Sequence, residues 1–305
     1  MSELEEIIEN AKRTLSGKIV IAAVSGGGDS TLAAWIAERS AGSFYAVFLD
    51  SGFLRKGEAE RVLELYSEMF GEKFMMIDAS EEFFSSLRSI ENPEEKRKAV
   101  GSAFVRVFER IAREVGAEVL VQGTIAPDWI ESGGEGRDTI KSHHNVGGMP
   151  ETFLEVFEPL RDLYKDDVRS FIMETGLGFE ERQPFPGPGL SVRILGEVTR
   201  ERVAVARKAN AIVEDVLGRN VAKPWQYFAV LIPVKSTGVK GDERVYGVTI
   251  AIRAINSMDG MSGSFSKIPY ELLEEISTRI TNEIPECNRV VYDITNKPPA
   301  TIEWE

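Results

Sequence analysis

The sequence predicts an α/β protein: a doubly wound parallel sheet in the first part of the chain, followed by a smaller α+β domain. Short apolar runs alternate with longer helical patterns as far as Val121, which is the order of a parallel α/β sheet. The runs are almost continuously apolar, as expected for strands that helices cover on both faces. A Pro- and Gly-rich segment then divides the chain, and 305 residues suit two domains at about 150 residues each.

The first domain has clear strand and helix signals. Asn92 and Pro93 begin the longest helix with a cap residue and a proline in the first turn. The amino terminus, MSELEEIIENAKRTL, has the pattern of an acidic amphipathic helix rather than of a signal peptide. Strands are predicted at 18–24, 44–49, 73–77 and 118–121, and helices at 30–39, 58–70 and 94–115. Ligands in such sheets bind at the carboxyl ends of the strands.

A boundary is predicted where residues 183–189 combine three prolines with two glycines, since these can continue neither a helix nor a central strand. We therefore expect domains at 1–185 and 186–305. Residues 131–150 are polar and Gly-rich and predict a long loop. The second domain is predicted to contain helices at 201–217 and 270–280 and strands at 227–233, 245–253 and 289–294.

Composition excludes several classes of function. The 36 basic and 49 acidic side chains give a net charge of −13, which argues against a general nucleic-acid binder. No apolar stretch approaches the ~20 residues of a membrane span. The single cysteine, Cys287, and the adjacent His143 and His144 argue against a disulfide framework and a Cys- or His-based metal centre. We expect a cytoplasmic protein without membrane contact.

The strongest local motif is Ser25-Gly-Gly-Gly-Asp-Ser30, placed between the first strand and the first helix. Consecutive glycines let the backbone approach a ligand, and the helix start adds partial positive charge. The hydroxyl groups of Ser25, Ser30 and Thr31 add further donors. The motif has neither the Lys-Ser/Thr pair of a Walker A loop nor the G-x-G-x-x-G spacing of a dinucleotide fold. It predicts a phosphate-binding loop of another kind.

This loop resembles the SGGxDS pyrophosphate loop of the N-type ATP pyrophosphatases, which split ATP to AMP and pyrophosphate to activate a carbonyl oxygen. Gly28 stands where the family usually has Val. Further segments resemble the ATP-pyrophosphatase and dimerisation parts of GMP synthetases, in the form of a separate synthetase subunit of the archaeal two-subunit type. In chain order they are 50–56, 93–98, 122–125, 130–134, 140–148, 184–190 and 297–305. The resemblance implies an adenine nucleotide alpha hydrolase-like sheet and a C-terminal dimerisation domain.

The resemblance also implies a ligase reaction. ATP would adenylate the C2 oxygen of xanthosine 5′-monophosphate (XMP), and ammonia would then displace AMP to give GMP. Mg²⁺ is the expected cofactor, and a homodimer formed through the second domain is the expected assembly. Because no histidine follows Cys287, a Cys–His glutaminase is not expected in this chain. We therefore expect a separate glutaminase subunit to supply the ammonia.

Candidate site residues follow from the loop, from the strand ends and from the resemblance. Asp29 is the candidate metal ligand, although an acid in a first helical turn also suits the helix dipole. Lys141 is the second candidate catalytic residue, as a cation on a closing loop. Candidates for binding ATP are Ser25, Gly26, Gly27, Gly28, Asp29, Ser30, Thr31, Gly123 and Thr124. Candidates for binding XMP, by resemblance, are Arg97, Gln226, Asp242, Lys297 and Glu303.

Two alternatives remain open on the sequence. An NAD synthetase shares the loop and the sheet, but would leave the tail at 297–305 without a role. An inactive nucleotide-binding relative is suggested only by Gly28. Because a site at the tail is the leading interpretation, we expect these last residues to be folded rather than frayed.

Overall fold

The computed structural model describes residues 2–126, 154–177, 182–220, 223–258 and 260–305. The chain divides into two compact units. The N-terminal unit comprises residues 1–52, 59–82 and 98–181, and the C-terminal unit comprises residues 53–58, 83–97 and 182–305. Two short segments that precede the predicted boundary thus belong to the C-terminal unit. The predicted domain boundary at 185/186 stays a prediction.

The N-terminal unit contains the predicted parallel sheet. Its strands are β1 (Ile19–Ala23), β2 (Ser43–Asp50), β3 (Phe74–Asp78), β4 (Val119–Val121) and β5 (Glu155–Phe157). They lie in the order β3-β2-β1-β4-β5, and every pair is parallel. The chain runs outward from β1 in one direction through β3 and then continues on the other side of β1. The switch point between β1 and β4 is where such sheets bind ligands.

Helices flank this sheet, which confirms the predicted fold class. The described helices of this part of the chain are α1 (Glu3–Leu15), α2 (Gly28–Glu38), α3 (Glu58–Phe70), α4 (Ser80–Ser86), α5 (Pro93–Val115) and α6 (Lys165–Thr175). Residues 83–86 of α4 and 93–97 of α5 belong to the C-terminal unit. α1 begins with a capping box between Ser2 and Glu5. α3 buries Val62, Tyr66 and Phe70, which recur every four residues on one face. Among the described helices, none has the length and apolarity needed to cross a bilayer.

The C-terminal unit is the expected smaller α+β domain. Its strands are β6 (Gln226–Lys240), β7 (Glu243–Asn256), β8 (Ser264–Phe265) and β9 (Cys287–Asp293), and its helices are α7 (Arg200–Gly218) and α8 (Tyr270–Glu283). β6 and β7 form a long antiparallel hairpin, and β9 pairs with β7 in parallel. Both hairpin strands are longer than predicted. Phe228, Val230 and Ala251 are core residues on which Ile302 and Trp304 of the tail pack.

Cys287 begins β9 and is fully buried. Burial raises the pKa of its thiol, so the thiolate is disfavoured. Cys287 is thus a small buried thiol.

Candidate functional site

The glycine loop connects β1 to α2 at the switch point of the sheet. Gly26 has a φ of 84°, a backbone conformation that residues with a side chain rarely adopt. α2 begins at Gly28 with Gly27 as its N-cap, and no side chain caps it. No side chain therefore takes up the N–H groups of the first helical turn, and the helix dipole favours an anion there. This is the geometry that the sequence predicted for a phosphate-binding loop.

The two serine hydroxyl groups of the loop hydrogen-bond to each other. Ser30 Oγ donates to the carbonyl oxygen of Gly27 at 3.1 Å and accepts the backbone N–H of Ser25 at 3.1 Å. Since its proton is used on Gly27, the 3.0 Å contact between the hydroxyls has Ser25 as its donor. Ser25 is exposed. Its hydroxyl can therefore rotate toward a ligand without any buried group having to move.

Thr31 is buried, and its hydroxyl makes contacts within the loop. It is 1% exposed, and its hydroxyl donates to Gly27 O at 2.7 Å. The 2.8 Å contact with the hydroxyl of Tyr66 must then have Tyr66 as donor, while Tyr66 accepts the N–H of Gly26 at 3.1 Å. The single hydroxyl proton of Thr31 is thus used within the loop, and its predicted contact with ATP stays a prediction. Burial raises the pKa of Tyr66, which keeps it a neutral donor.

The end of β4 lies against the first turn of α2. A Cβ on Gly123 would come within 2.6 Å of the backbone N of Ser30, so only glycine fits. Gly123 packs closely beneath the loop, and its predicted contact with ATP stays a prediction. Thr124 is part-buried and its hydroxyl donates to Glu158 Oε1 at 2.5 Å. Glu158 directly follows β5 and also accepts from Arg161 at 3.0 Å, so a second polar cluster stands at these strand ends.

Asp29 lies in the first turn of α2 and is the described acidic side chain of the loop. Its Oδ2 is 2.6 Å from Nζ of Lys165, the first residue of α6. The carboxylate is 25% exposed and hence reachable. A carboxylate beside phosphate-binding N–H groups is a donor set that suits Mg²⁺, which prefers carboxylate, phosphate and water oxygens. The described residues contain no group of three or more His, Cys, Asp or Glu side chains that could hold a metal ion. Mg²⁺ is commonly held by one or two carboxylates together with substrate phosphates, so Asp29 still fits the predicted metal.

In the C-terminal unit, two predicted XMP ligands are in contact. Gln226 Nε2 donates to Glu303 Oε1 at 3.0 Å and to Pro184 O at 3.1 Å. Arg193, which is 1% exposed, grips the same carboxylate with Nε and Nη2 at 3.0 and 2.8 Å. Its guanidinium also lies 4.0 Å from the ring centre of Phe228. The Glu303 carboxylate is therefore held in one orientation.

Further buried cations hold the tail. Lys96 is fully buried, pairs with Glu305, and donates to the carbonyl oxygen of Ile194 at 2.7 Å. Burial lowers the pKa of Lys96 and raises the pKa of Glu305. Arg253 is also fully buried and donates to the carbonyl oxygens of Thr301 and Ile302 at 3.0 and 3.4 Å. The expectation that the tail is folded rather than frayed is confirmed.

The other predicted XMP ligands are more dispersed. Arg97 is exposed, and its charge helps to lower the pKa of the Glu305 carboxyl. Lys297 Nζ donates to Gly260 O at 2.7 Å. Asp242 lies in the turn of the β6–β7 hairpin, whereas Gln226 is at its opposite end. At about 3.3 Å per residue these ends are roughly 45 Å apart, so a site that contained both would need one of them from a second chain. The role of Asp242 in binding XMP stays a prediction.

Lys141, His143 and His144 lie outside the described residues. Sequence reasoning missed Tyr66, Lys165, Arg193 and Lys96. Only Lys165 had a local signal, because a lysine opening a helix is unfavourable next to the helix dipole. The others are specified by partners distant in the chain.

Comparison with known proteins extends these observations. A family model described as GMP synthase C terminal domain matches residues 214–304. The chain is 53% identical to a Thermococcus kodakarensis protein and 55% identical to one from Methanopyrus kandleri, in each case over 99% of this chain and 98% of the relative. A Pyrococcus furiosus relative is 52% identical over 99% of this chain and 96% of its own length. Each of the three is named as one subunit of a glutamine-hydrolyzing GMP synthase. The chain therefore belongs to this family of GMP synthase subunits and is a ligase of that family.

Proposed function

We propose that the chain makes GMP from XMP in two steps. The C2 oxygen of XMP attacks the α-phosphorus of ATP, so an O–P bond forms and the bond to the β-phosphate oxygen breaks, releasing pyrophosphate. Ammonia then adds at C2, the C2–O bond breaks, AMP leaves, and the nitrogen loses a proton. The observation that carries this proposal is the uncapped glycine loop at the switch point of the sheet, in a chain whose full-length relatives are named for GMP synthesis.

The loop suits the first step because that step depends on positioning and on charge neutralisation rather than on a covalent nucleophile. The free N–H groups of the first turn of α2 would hold the departing pyrophosphate. Asp29 would hold Mg²⁺, which, when bound, neutralises phosphate charge. Ser25 would donate its exposed hydroxyl. Lys141 is proposed to approach the reacting phosphate from the segment outside the described residues.

The tail residues suit recognition of XMP. A carboxylate has about four acceptor sites, and Arg193 and Gln226 supply three donors to Glu303. One acceptor site on Oε2 is left, which can receive an N–H of the base or a hydroxyl of the sugar. Both amide protons of Gln226 are used, so we assign only its carbonyl oxygen to the ligand. Arg97 and Lys297 are proposed to bind the phosphate of XMP.

Ammonia is proposed to come from a separate glutaminase subunit. The relatives are named as one subunit of a glutamine-hydrolyzing enzyme, which implies another subunit. Cys287 is buried and its pKa is raised, opposite to what a nucleophilic cysteine needs. We infer that the chain uses free ammonia when it is alone.

A homodimer through the C-terminal unit is also proposed. The β6–β7 hairpin exposes Val234, Val239 and Tyr246, which are 67%, 75% and 64% exposed. Apolar side chains grouped on one long hairpin are typical of an interaction surface. The double change Val239→Glu and Tyr246→Glu should give a monomer in light scattering at a concentration where the unchanged chain is dimeric; an unchanged mass would place the interface elsewhere.

One assay tests the reaction. The purified chain, supplied with ATP, Mg²⁺ and an ammonium salt, should release pyrophosphate and form GMP only when XMP is added. Turnover with deamido-NAD instead of XMP would favour an NAD synthetase-like ligase. Absence of turnover with either acceptor, in a chain that still binds ATP, would favour an inactive relative.

A further inference from the structure

Lys165 lies at a helix position where a lysine is electrostatically unfavourable. It is the first residue of α6, and a cation there faces the positive end of the helix dipole. The next two residues, Asp166 and Asp167, are the acids that suit this position, and Asp167 Oδ2 accepts the backbone N–H of Tyr164 at 2.9 Å. The reason for the lysine must therefore lie outside its own helix.

That reason is Asp29, whose carboxylate lies 2.6 Å from Lys165 Nζ. Both residues are in the first turns of their helices, so the amino-terminal ends of α2 and α6 approach within the reach of one ion pair. The carboxylate of Asp29 thus belongs to the amino-terminal turn of one helix and contacts a lysine in the amino-terminal turn of another. Such a place gains electrostatically from additional negative charge.

Stability does not explain the pair. The side chain of Lys165 is 58% exposed and that of Asp29 is 25% exposed, and ion pairs exposed to this extent are screened by water and add little to folding. Because the pair costs little to break, its partners can be exchanged. A lysine is well suited to exchange, since it is a point charge on a flexible stem.

We propose that Lys165 is a phosphate-binding residue of the ATP site and that it pairs with Asp29 only until the nucleotide arrives. This inference rests on the proposed function. When ATP binds, Lys165 Nζ leaves the carboxylate and donates to an oxygen of the β- or γ-phosphate. Asp29 is thereby freed for a divalent cation. The ion pair keeps the carboxylate oriented and neutralised without blocking the loop N–H groups.

The test compares Lys165→Met with Arg169→Met. Arg169 is an exposed cation one turn further along α6 that pairs with Asp166 at 2.9 Å, so it controls for loss of charge on the helix. Calorimetry measures the binding of inorganic pyrophosphate, first with a chelator and then with Mg²⁺. Without divalent cations, Lys165→Met should bind pyrophosphate roughly tenfold more weakly, as expected for loss of a charge-assisted hydrogen bond. Arg169→Met should bind it as the unchanged chain does.

A second readout separates exchange from a structural role. In Lys165→Met, Mg²⁺ should bind more tightly, because no lysine competes for Asp29, so a lower Mg²⁺ concentration should give half-maximal pyrophosphate binding. The affinity for pyrophosphate in the absence of Mg²⁺ should be weaker than in the unchanged chain. A merely structural pair would weaken both kinds of binding together. Lys165→Arg should restore most of the affinity.

The outcomes distinguish this inference from the proposed function. Equal pyrophosphate affinity in Lys165→Met and in the unchanged chain would overturn the inference alone. Normal binding and normal exchange, combined with failure to make GMP from XMP, would overturn the proposed reaction and leave the role of Lys165 supported. Failure of the unchanged chain to bind either pyrophosphate or ATP would overturn both.

Discussion

The buried pair between Lys96 and Glu305 makes Lys96→Met the most informative single change in the C-terminal unit. Lys96 is fully buried, and Glu305 is 8% exposed. Methionine fills a similar volume without a charge. The change therefore leaves the Glu305 carboxyl in a buried site without its counter-ion, although the N–H of Gly196 still donates to it at 3.2 Å.

The expected loss in the free energy of unfolding follows from the least costly way to remove the unpaired charge, which is protonation of Glu305. The ordinary pKa of this carboxyl is 4.5, so neutralising it at pH 7 costs about 2.5 pH units at about 1.36 kcal/mol each, or roughly 3.4 kcal/mol. Loss of the bond to Ile194 O adds about 1 kcal/mol at any pH. We expect the free energy of unfolding to fall by about 4 kcal/mol at pH 7, within the range measured for broken buried ion pairs.

The sign of the pH dependence is fixed by the direction of the shift. Burial already raises the pKa of Glu305, and removal of Lys96 raises it further. A carboxyl with a raised pKa in the folded state contributes stability that is fully present below its unfolded value and is lost as the pH rises through the folded value. At pH 5 the protonation penalty is only about 0.7 kcal/mol, so the loss of stability in Lys96→Met should shrink to about 2 kcal/mol.

Urea unfolding followed by circular dichroism at pH 7 and pH 5 measures these differences. Lys98→Met, an exposed change on the same helix, is the matched control. The double variant Lys96→Met with Glu305→Gln should recover about 3 kcal/mol at pH 7, since no buried charge remains. A Lys96→Met variant that is as stable as the control at pH 7, or whose loss of stability is the same at both pH values, would contradict this role of the buried pair.

Three further changes test other parts of the two units. Tyr66→Phe leaves a buried loop N–H without its acceptor and should lower stability by about 2 kcal/mol and weaken pyrophosphate binding, as measured by thermal unfolding and calorimetry; an unaltered melting temperature would contradict this role of the hydroxyl. Gly123→Ala forces a Cβ to 2.6 Å from the backbone of Ser30 and should cost about 1–3 kcal/mol and raise the KM for ATP, with normal kinetics contradicting the close packing. Arg193→Lys keeps the charge but loses the two-point grip on Glu303, and steady-state kinetics should show a higher KM for XMP with the KM for ATP unchanged.

The hydrophobic pattern within single segments was sufficient to predict most of the N-terminal sheet, because strands such as β1 consist of consecutive apolar residues. It was not sufficient for β5, which has only three residues, begins with the exposed Glu155, and is a strand because it pairs with β4. The role of Tyr66 was hidden for a similar reason. The stripe on α3 predicts that this residue is buried, but which backbone group its hydroxyl meets depends on a loop 40 residues away.

Buried charges were the least predictable feature. A Lys-Arg-Lys run at the start of a helix ordinarily indicates a solvent-exposed face, which is the position of Arg97 but not of Lys96. The partner of Lys96 is 209 residues away. Arg193 follows a Pro- and Gly-rich segment that gives no periodic signal, and its partner is 110 residues away. A buried charged residue of this kind can be predicted from sequence only when its partner is already known to lie close to it in the fold.

These pairs also explain how an acidic chain can bind anionic nucleotides. A lone glutamate at the proposed XMP site would repel a nucleotide phosphate, but Glu303 is matched by the guanidinium of Arg193, so the pair has no net charge. Glu303 can then accept a hydrogen bond from the base or sugar at little electrostatic cost. In the N-terminal unit, Lys165 matches Asp29 in the same way, and the loop N–H groups attract phosphate without any formal charge. The net charge of −13 does not reflect these local arrangements. It argues against a broad basic surface but not against a nucleotide site.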